Sequence, residues 1–247
     1  MDIKRYFIYL SYKGTAYHGW QIQQNATSVQ GVLQSVFSQM LREEIEIVGA
    51  GRTDTGVHSS FYVAHIDYQG DRDITTSDFI YHINAVLPKD IAIQKIEEVD
   101  SSLHARFSAI EREYKYYITT VKDPFKIETA FYYSAPLDIE KMNEAASMLL
   151  TYSDFTSFAK LHTDTKTNIC KVTHAHFQQE GDTITFTIRA DRFLRNMVRA
   201  IVGSLLDVGK GNITVLDFKN IIEALDRSKA SSSAYAHGLF LTNIRYK

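Results

Sequence analysis

A short glycine-rich loop carries two side chains of the types that do chemistry. Arg52 and Asp54 lie two residues apart in the sequence GAGRTDTG at 49–56. Glycine permits positive φ angles and close backbone approach, so this loop must bend tightly. Loops held on strands often display binding and catalytic side chains. An ordinary turn, in which an aspartate bonds its own backbone, explains the same pattern equally well.

A second candidate lies in the sequence REYKYY at 112–117. Side chains alternate along a strand, so Tyr114 and Tyr116 are expected on the same face. Taken alone, the pattern is more typical of two half-buried tyrosines in a sheet than of a functional pair.

A third candidate is a set of arginines at helical spacing, Arg192, Arg195 and Arg199. A solvated charged face is the usual outcome of such spacing. Arg199, however, directly follows Val198, at the edge of an apolar stripe. We therefore expect its guanidinium to reach inward toward a carboxylate.

Two other motifs indicate chemistry less strongly. Asp54, Thr55 and Gly56 spell the D-T-G of aspartic proteases, but that chemistry needs two carboxylates that share a proton, and the chain has no second such motif. Cys170, His174 and His176 are predicted on one strand face and could form a metal trio. No fourth ligand is evident, so we expect them to be packed structural residues.

The composition indicates a soluble globular protein of one large or two modest domains. The 247 residues are 45% hydrophobic and 23% charged, with a net charge of −2. That charge argues against a protein that is basic all over, although a nucleic-acid groove needs only a local basic patch. One cysteine, no signal peptide and no membrane span predict a cytoplasmic protein.

The first half of the chain predicts a β-α-β-β-α-β order, which is the ferredoxin-like arrangement. Strands are predicted at 5–12, 45–48, 61–68 and 91–99. One helix is predicted from apolar residues between Val29 and Leu41, after a capping box of Thr27 and Gln30. A second runs from Phe79 to Leu87 and ends at Pro88.

The second half has a similar rhythm without repeating the sequence. Strands are predicted at 113–119, 170–178, 183–190 and 239–246, and helices at 139–150, 194–205 and after Thr214. We therefore predict an α+β protein of two fused ferredoxin-like (RRM-like) lobes, whose antiparallel sheets join across a central cleft. The N-terminal lobe is residues 1–107 and the C-terminal lobe is residues 108–247.

Taken together, these stretches resemble the pseudouridine synthases of the tRNA pseudouridine synthase A family. The resemblance runs nearly end to end. It rests on eight motifs in order: GTAYHGWQ at 14, AGRTDTGVH at 50, NAVLP at 84, HARFSA at 104, YKY at 114, DFTSF at 154, FLRNMVRAIVG at 193 and GLFL at 238. Thr55, where many relatives have alanine, is the one difference that we note.

The resemblance implies an enzyme that converts uridine in RNA into its C-glycoside isomer. It assigns Asp54 as nucleophile, Arg199 as its ion-pair partner, and Tyr114 as the residue that stacks on the base and serves proton removal at C5. Leu239 would line the pocket, and Arg52 would hold the RNA backbone beside a flipped-out nucleotide. Attack on the sugar, attack on the base and assisted elimination all stay open at this stage.

The resemblance also implies the partners. The substrate would be the anticodon arm of tRNA at uridines 38–40, bound by a homodimer without a metal, a small-molecule cofactor or a membrane. A non-catalytic RNA-binding module is the competing class, because ferredoxin-like lobes can stack bases on aromatic strands. Such a module would have no need for Asp54 beside Arg52, since a carboxylate repels phosphate.

Overall fold

A computed structural model describes residues 3–160 and 167–247 of the chain. The order of elements is β1 (Lys4–Tyr12), α1 (Val29–Leu41), β2 (Val48–Gly49), β3 (His58–Tyr68), α2 (Ser77–Val86), β4 (Ile91–Val99), β5 (Ala109–Thr119), β6 (Phe131–Tyr132), α3 (Ile139–Met148), β7 (Val172–Glu180), β8 (Thr183–Ala190), α4 (Met197–Gly209), α5 (Val215–Glu223) and β9 (Leu239–Tyr246). The predicted α+β class is confirmed. No helix in the described ranges is long and apolar enough to cross a membrane.

The chain divides into two compact units. The first contains residues 1–110 and 241–247, and the second contains residues 111–240. The sequence assigned β9 to the second half, whereas most of this strand belongs to the first unit. Within that unit, the Ser59 hydroxyl donates to the Leu241 carbonyl at 3.1 Å, and the Tyr246 hydroxyl donates to the Ala105 carbonyl at 2.6 Å. Alternating hydrophobicity identifies a strand but not its neighbour, so the sequence did not predict this return.

The first unit is built on antiparallel strands. β1 pairs with β3 on one side and with β4 on the other, so that Ile8 lies opposite both Ala64 and Ile96. The helices pack their apolar side chains together, with the rings of Phe37 and Phe79 6.3 Å apart. An edge strand leaves backbone groups unpaired, and here the Asn84 side chain of α2 pairs with both backbone groups of Ile93, each at 2.8 Å.

The second unit also has antiparallel strands and an asparagine on a helix that bonds a strand residue. β8 lies between β5 and β7, antiparallel to both, and the short β6 runs parallel to β5. The Asn143 side chain of α3 bonds both backbone groups of Phe177, at 3.0 and 2.7 Å. α4 is buried along nearly its whole length. An asparagine on a helix thus satisfies a strand residue in each unit.

The strand predicted at 45–48 is shorter in the structure, where β2 is only Val48–Gly49. Side chains of α1 explain the difference. Ser38 accepts from the Ile45 N–H at 2.9 Å, and Gln30 donates to the Ile47 carbonyl at 2.8 Å. Because α1 already satisfies these backbone groups, residues 45–47 need no partner strand.

The predicted capping box at the start of α1 is also wrong, because the Gln30 side chain bonds other backbone groups. The N-cap is Ser28, whose hydroxyl accepts from the Gly31 N–H at 3.2 Å, and not Thr27. The Gln30 side chain, assigned to the capping box, instead bonds Ile47 and accepts from the Ile22 N–H at 3.0 Å. The sequence therefore located the helix correctly but assigned its cap to the wrong residue.

Candidate active site

The loop at residues 50–57 is fixed by two buried tyrosines. The Tyr62 hydroxyl donates to the Gly51 carbonyl and accepts from the Gly51 N–H at 3.3 Å. The Tyr12 hydroxyl lies 2.9 Å from the hydroxyl of Thr53, which is itself buried. Both tyrosines extend from neighbouring strands, so the middle of the loop is tied to rigid elements.

The segment at residues 14–20 supports the loop from a second side. Gly19 has a φ of +86°, and a Cβ at this position would lie 2.2 Å from the Thr53 carbonyl oxygen. The ring of Trp20 stacks on Tyr62 at 4.0 Å and is 1% exposed. Trp20 is therefore a core residue. The close backbone contact leaves the loop little room to shift.

Arg52 and Asp54 extend from this fixed backbone into different surroundings. Arg52 is exposed, Thr53 is buried and Asp54 is half-buried. The chain then turns at Gly56, which has a φ of +78°, and the Val57 N–H donates to the Asp54 carbonyl at 3.1 Å. The backbone and Thr53 fix the loop from which the two charged side chains extend.

The second unit contains the other predicted site residues. Tyr114 is half-buried on β5, and its ring meets Phe193 edge-on at 5.2 Å. Register with β8 is unbroken from Arg112 to Thr119, so Tyr114 and Tyr116 do lie on one strand face. The edge contact fixes the plane of the Tyr114 ring.

Arg199 lies in the first turn of α4, half-buried between buried Val198 and Ala200. Its Nε donates to the Ala234 carbonyl at 2.8 Å, and its own carbonyl accepts from the Ala234 N–H at 2.9 Å. The predicted edge position is confirmed. The helical spacing extended to Arg192 and Arg195 is wrong, because α4 begins only after Asn196.

Residues 231–238, which we call the α4 strap, were not recognised from the sequence as part of the site. The strap approaches α4 so closely that a Cβ on Gly203 would lie 2.0 Å from the Ser232 carbonyl oxygen. The Asn196 side chain donates to the Ser233 hydroxyl at 2.7 Å, and the Ser204 hydroxyl accepts from the Ser231 N–H at 3.2 Å. A glycine inside an apolar helix was the available signal.

The strap leads directly into Leu239, the first residue of β9, which is 4% exposed. Arg199 and Leu239 are thus linked by one short run of chain in the second unit. Arg52 and Asp54 share one loop in the first unit. Each unit by itself therefore holds a defined subset of the predicted site.

The expected face shared by Cys170, His174 and His176 is wrong, and His176 is not the packed structural residue that we expected. β7 has a register shift between Val172 and His174, which changes the alternation of its side chains. Cys170 is buried, and burial raises the pKa of its thiol to about 12, whereas His176 is exposed. Among residues 3–160 and 167–247 no group of three or more metal-ligating side chains is suited to hold an ion.

Comparisons with known proteins match the chain along its length. A family model described as tRNA pseudouridine synthase matches residues 8–108 and 145–247. A tRNA pseudouridine synthase A of Bacteroides fragilis is 55% identical over 247 residues, which cover 100% of this chain and 98% of that protein. A tRNA pseudouridine synthase A of Bacteroides thetaiotaomicron is 53% identical over 99% of this chain and 91% of its own. One of Parabacteroides distasonis is 51% identical over 99% and 96%.

Proposed function

The chain belongs to the tRNA pseudouridine synthase family and isomerises uridine to pseudouridine in tRNA, and we propose that Asp54 is its nucleophile. The reaction breaks the bond between C1′ of the ribose and N1 of uracil and forms a bond from C1′ to C5. The C5 hydrogen leaves as a proton and N1 gains one, so the reaction is redox-neutral. For this reason we expect it to need no cofactor.

Detachment of the base leaves an electron-poor sugar carbon, as in glycoside hydrolysis, where a carboxylate attacks or stabilises the reacting centre. One carboxylate suffices for the isomerisation because no water has to be activated. Asp54 suits this role because its backbone is fixed by the loop and its side chain is half-buried. The construction of this loop is the observation that carries the proposal.

We propose that Arg199 pairs with Asp54 and fixes its side-chain rotamer. The Ala234 carbonyl of the strap accepts from Nε of Arg199 and so holds one edge of its guanidinium. Tyr114 stacks on the uracil and serves proton removal at C5, and Leu239 lines the pocket. The family membership and the local setting of each residue support these roles.

Arg52 is the proposed contact to the RNA backbone. A base in a helix must be flipped out to be reached, and an exposed guanidinium can hold the phosphate of the extruded nucleotide. The resemblance supports uridines 38–40 of the anticodon arm as targets, a cytoplasmic homodimer as the working form, and ferredoxin-like lobes that form a cleft for the RNA. The proposed lobes are residues 1–107, which contain the loop at residues 50–57, and residues 108–247, except that residues 241–247 belong to the first unit.

Tritium release tests this function. Transfer RNA that carries tritium at C5 of uridine is incubated with the protein, and released label is counted against the modified positions. We expect release that is stoichiometric with pseudouridine formed at positions 38–40. A protein that only binds RNA would release no label, and modification confined to other uridines would contradict the proposed target.

A further inference from the structure

Tyr116 has a buried hydroxyl that the site residues named so far do not use. The residue lies in the middle of β5 opposite Phe186 and is 0% exposed. Within the described ranges its hydroxyl has no hydrogen-bond partner, and no other buried side-chain polar atom there shares this state. Buried polar groups are nearly always paired, so an unpaired one requires an explanation. Phenylalanine would fill the same space without leaving a hydroxyl unpaired.

Tyr116 and Arg199 are both contacted by the α4 strap. The end of the α4 strap packs on the tyrosine ring, since a Cβ on Gly238 would lie 2.8 Å from its Cζ. The same strap bonds Arg199 through Ala234. Burial raises the pKa of the Tyr116 hydroxyl well above its usual range, and the positive charge of Arg199 opposes part of this rise. The hydroxyl therefore stays protonated and does not serve as a base.

We propose that Tyr116 is a positioning residue, whose hydroxyl accepts a hydrogen bond from the Arg199 guanidinium when tRNA is bound. This inference rests on the proposed function, because it needs Arg199 to act on Asp54. The hydroxyl is too deeply buried to meet a uracil, so it acts through the arginine. Nε of Arg199 donates to the Ala234 carbonyl, and a bond from the same guanidinium to the Tyr116 hydroxyl would fix its plane.

The test compares Tyr116→Phe with Tyr117→Phe, which removes a hydroxyl from the next residue of the same strand. Both variants are measured for single-turnover isomerisation, KM for tRNA and melting temperature. We expect Tyr116→Phe to lower kcat roughly 10-fold or more, with KM within about 2-fold of wild type. Its melting temperature should be equal to or above that of wild type, since it loses an unpaired group. Tyr117→Phe should keep wild-type kcat.

Repeating Tyr116→Phe in an Arg199→Lys background tests whether the hydroxyl acts through the arginine. Lysine keeps the charge but lacks the planar fork of arginine. In the Arg199→Lys background, Tyr116→Phe should therefore lower kcat by at most about 2-fold. An equally large loss in both backgrounds would overturn the proposal, as would wild-type kcat for Tyr116→Phe or a loss that follows a lowered melting temperature. If the wild-type protein releases no tritium, the proposed function itself fails and this inference with it.

Discussion

At the scale of single residues, the proposed site has two opposite charges, Arg52 and Asp54, which are close in sequence but differ in solvent exposure. Arg52 is exposed and Asp54 is half-buried, and the buried Thr53 between them separates the two environments. An exposed guanidinium suits a phosphate, whereas a partly desolvated carboxylate suits a reacting carbon and an arginine partner. Thr53, Tyr62 and the backbone fix the loop that carries the two charges.

Arg52→Ala is expected to weaken tRNA binding without affecting the fold. Removing one phosphate contact lowers the slope of log affinity against log salt by about one counterion. The melting temperature should stay at the wild-type value, because Arg52 is exposed. Titrations of tRNA at several salt concentrations measure the slope. Lys141→Ala, which removes an exposed lysine from α3, is the control and should leave the slope unchanged. An unchanged slope for Arg52→Ala would mean that Arg52 does not contact phosphate.

At the scale of elements, the loop and the 14–20 segment form one interlocked unit, and glycine matters at only some of its positions. Gly19 has a positive φ and touches the Thr53 carbonyl, whereas a Cβ on Gly51 would meet nothing within 4 Å. Gly19→Ala should therefore destabilise the protein by about 2 kcal/mol and lower turnover, since the loop must move. Gly51→Ala should be neutral or slightly stabilising.

Denaturant unfolding and tritium release on the two glycine variants check this prediction. The pair is matched, because both substitutions add one methyl group beside the same loop. Equal stability of the two variants would show that the 14–20 segment does not constrain the loop.

His65 on β3 makes the stability of the first unit depend on pH. The residue is 3% exposed, and its Nδ1 accepts from the Ala105 N–H at 3.2 Å. Burial, together with the charges of Arg5 and His104, lowers the pKa of His65 to about 4. An unfolded histidine has a pKa near 6.5. Between this pKa and that of the folded state, the histidine is protonated in the unfolded chain and neutral in the folded chain. Because of His65, the free energy of unfolding of the protein should therefore decrease as the pH is lowered from 6.5 to 4.

His65→Asn keeps a hydrogen-bond acceptor but removes the titration. We expect a shallower loss of unfolding free energy between pH 7 and 4.5 than in wild type, measured by urea unfolding. His176→Asn, a substitution of an exposed histidine on β7, is the control. If the unfolding free energy of His65→Asn depends on pH as steeply as that of wild type, the fold does not hold His65 neutral.

The sequence predicted most elements because their signals are local. β4 and β8 have their predicted bounds, and α5 begins directly after Thr214, as predicted. Prediction failed where a contact distant in sequence decided the outcome. β2 was shortened by side chains from α1, and the faces of β7 were changed by a register shift. Asp54 and Arg52 could be proposed from their motif, but the orphaned hydroxyl of Tyr116 depends on packing and could not.

At the scale of the whole molecule, the proposed chemistry requires residues of both units to act together. Asp54 belongs to the first unit, and Arg199 and its strap belong to the second. If the two form an ion pair, Arg199→Ala should lower the free energy of unfolding by about 2 kcal/mol, between the values for exposed and fully buried pairs. Adding Asp54→Ala should recover part of that loss.

A double-mutant cycle on unfolding free energy measures this coupling between the units. The control is a cycle of Asp54→Ala with Arg189→Ala, whose guanidinium pairs with Glu113 instead. The Arg189 cycle should be additive. Additive losses for Asp54 and Arg199 as well would mean that the two residues are not partners.

The most direct test of the account is single-turnover tritium release by Asp54→Asn, compared with wild type and with Asp182→Asn. Each substitution removes one negative charge, but Asp182 lies in the exposed turn between β7 and β8. We predict that Asp54→Asn stays folded and keeps its tRNA affinity while release of label from C5 disappears, and that Asp182→Asn releases label as wild type does. Substantial release by well-folded Asp54→Asn bound to tRNA would contradict the assignment of Asp54 as nucleophile.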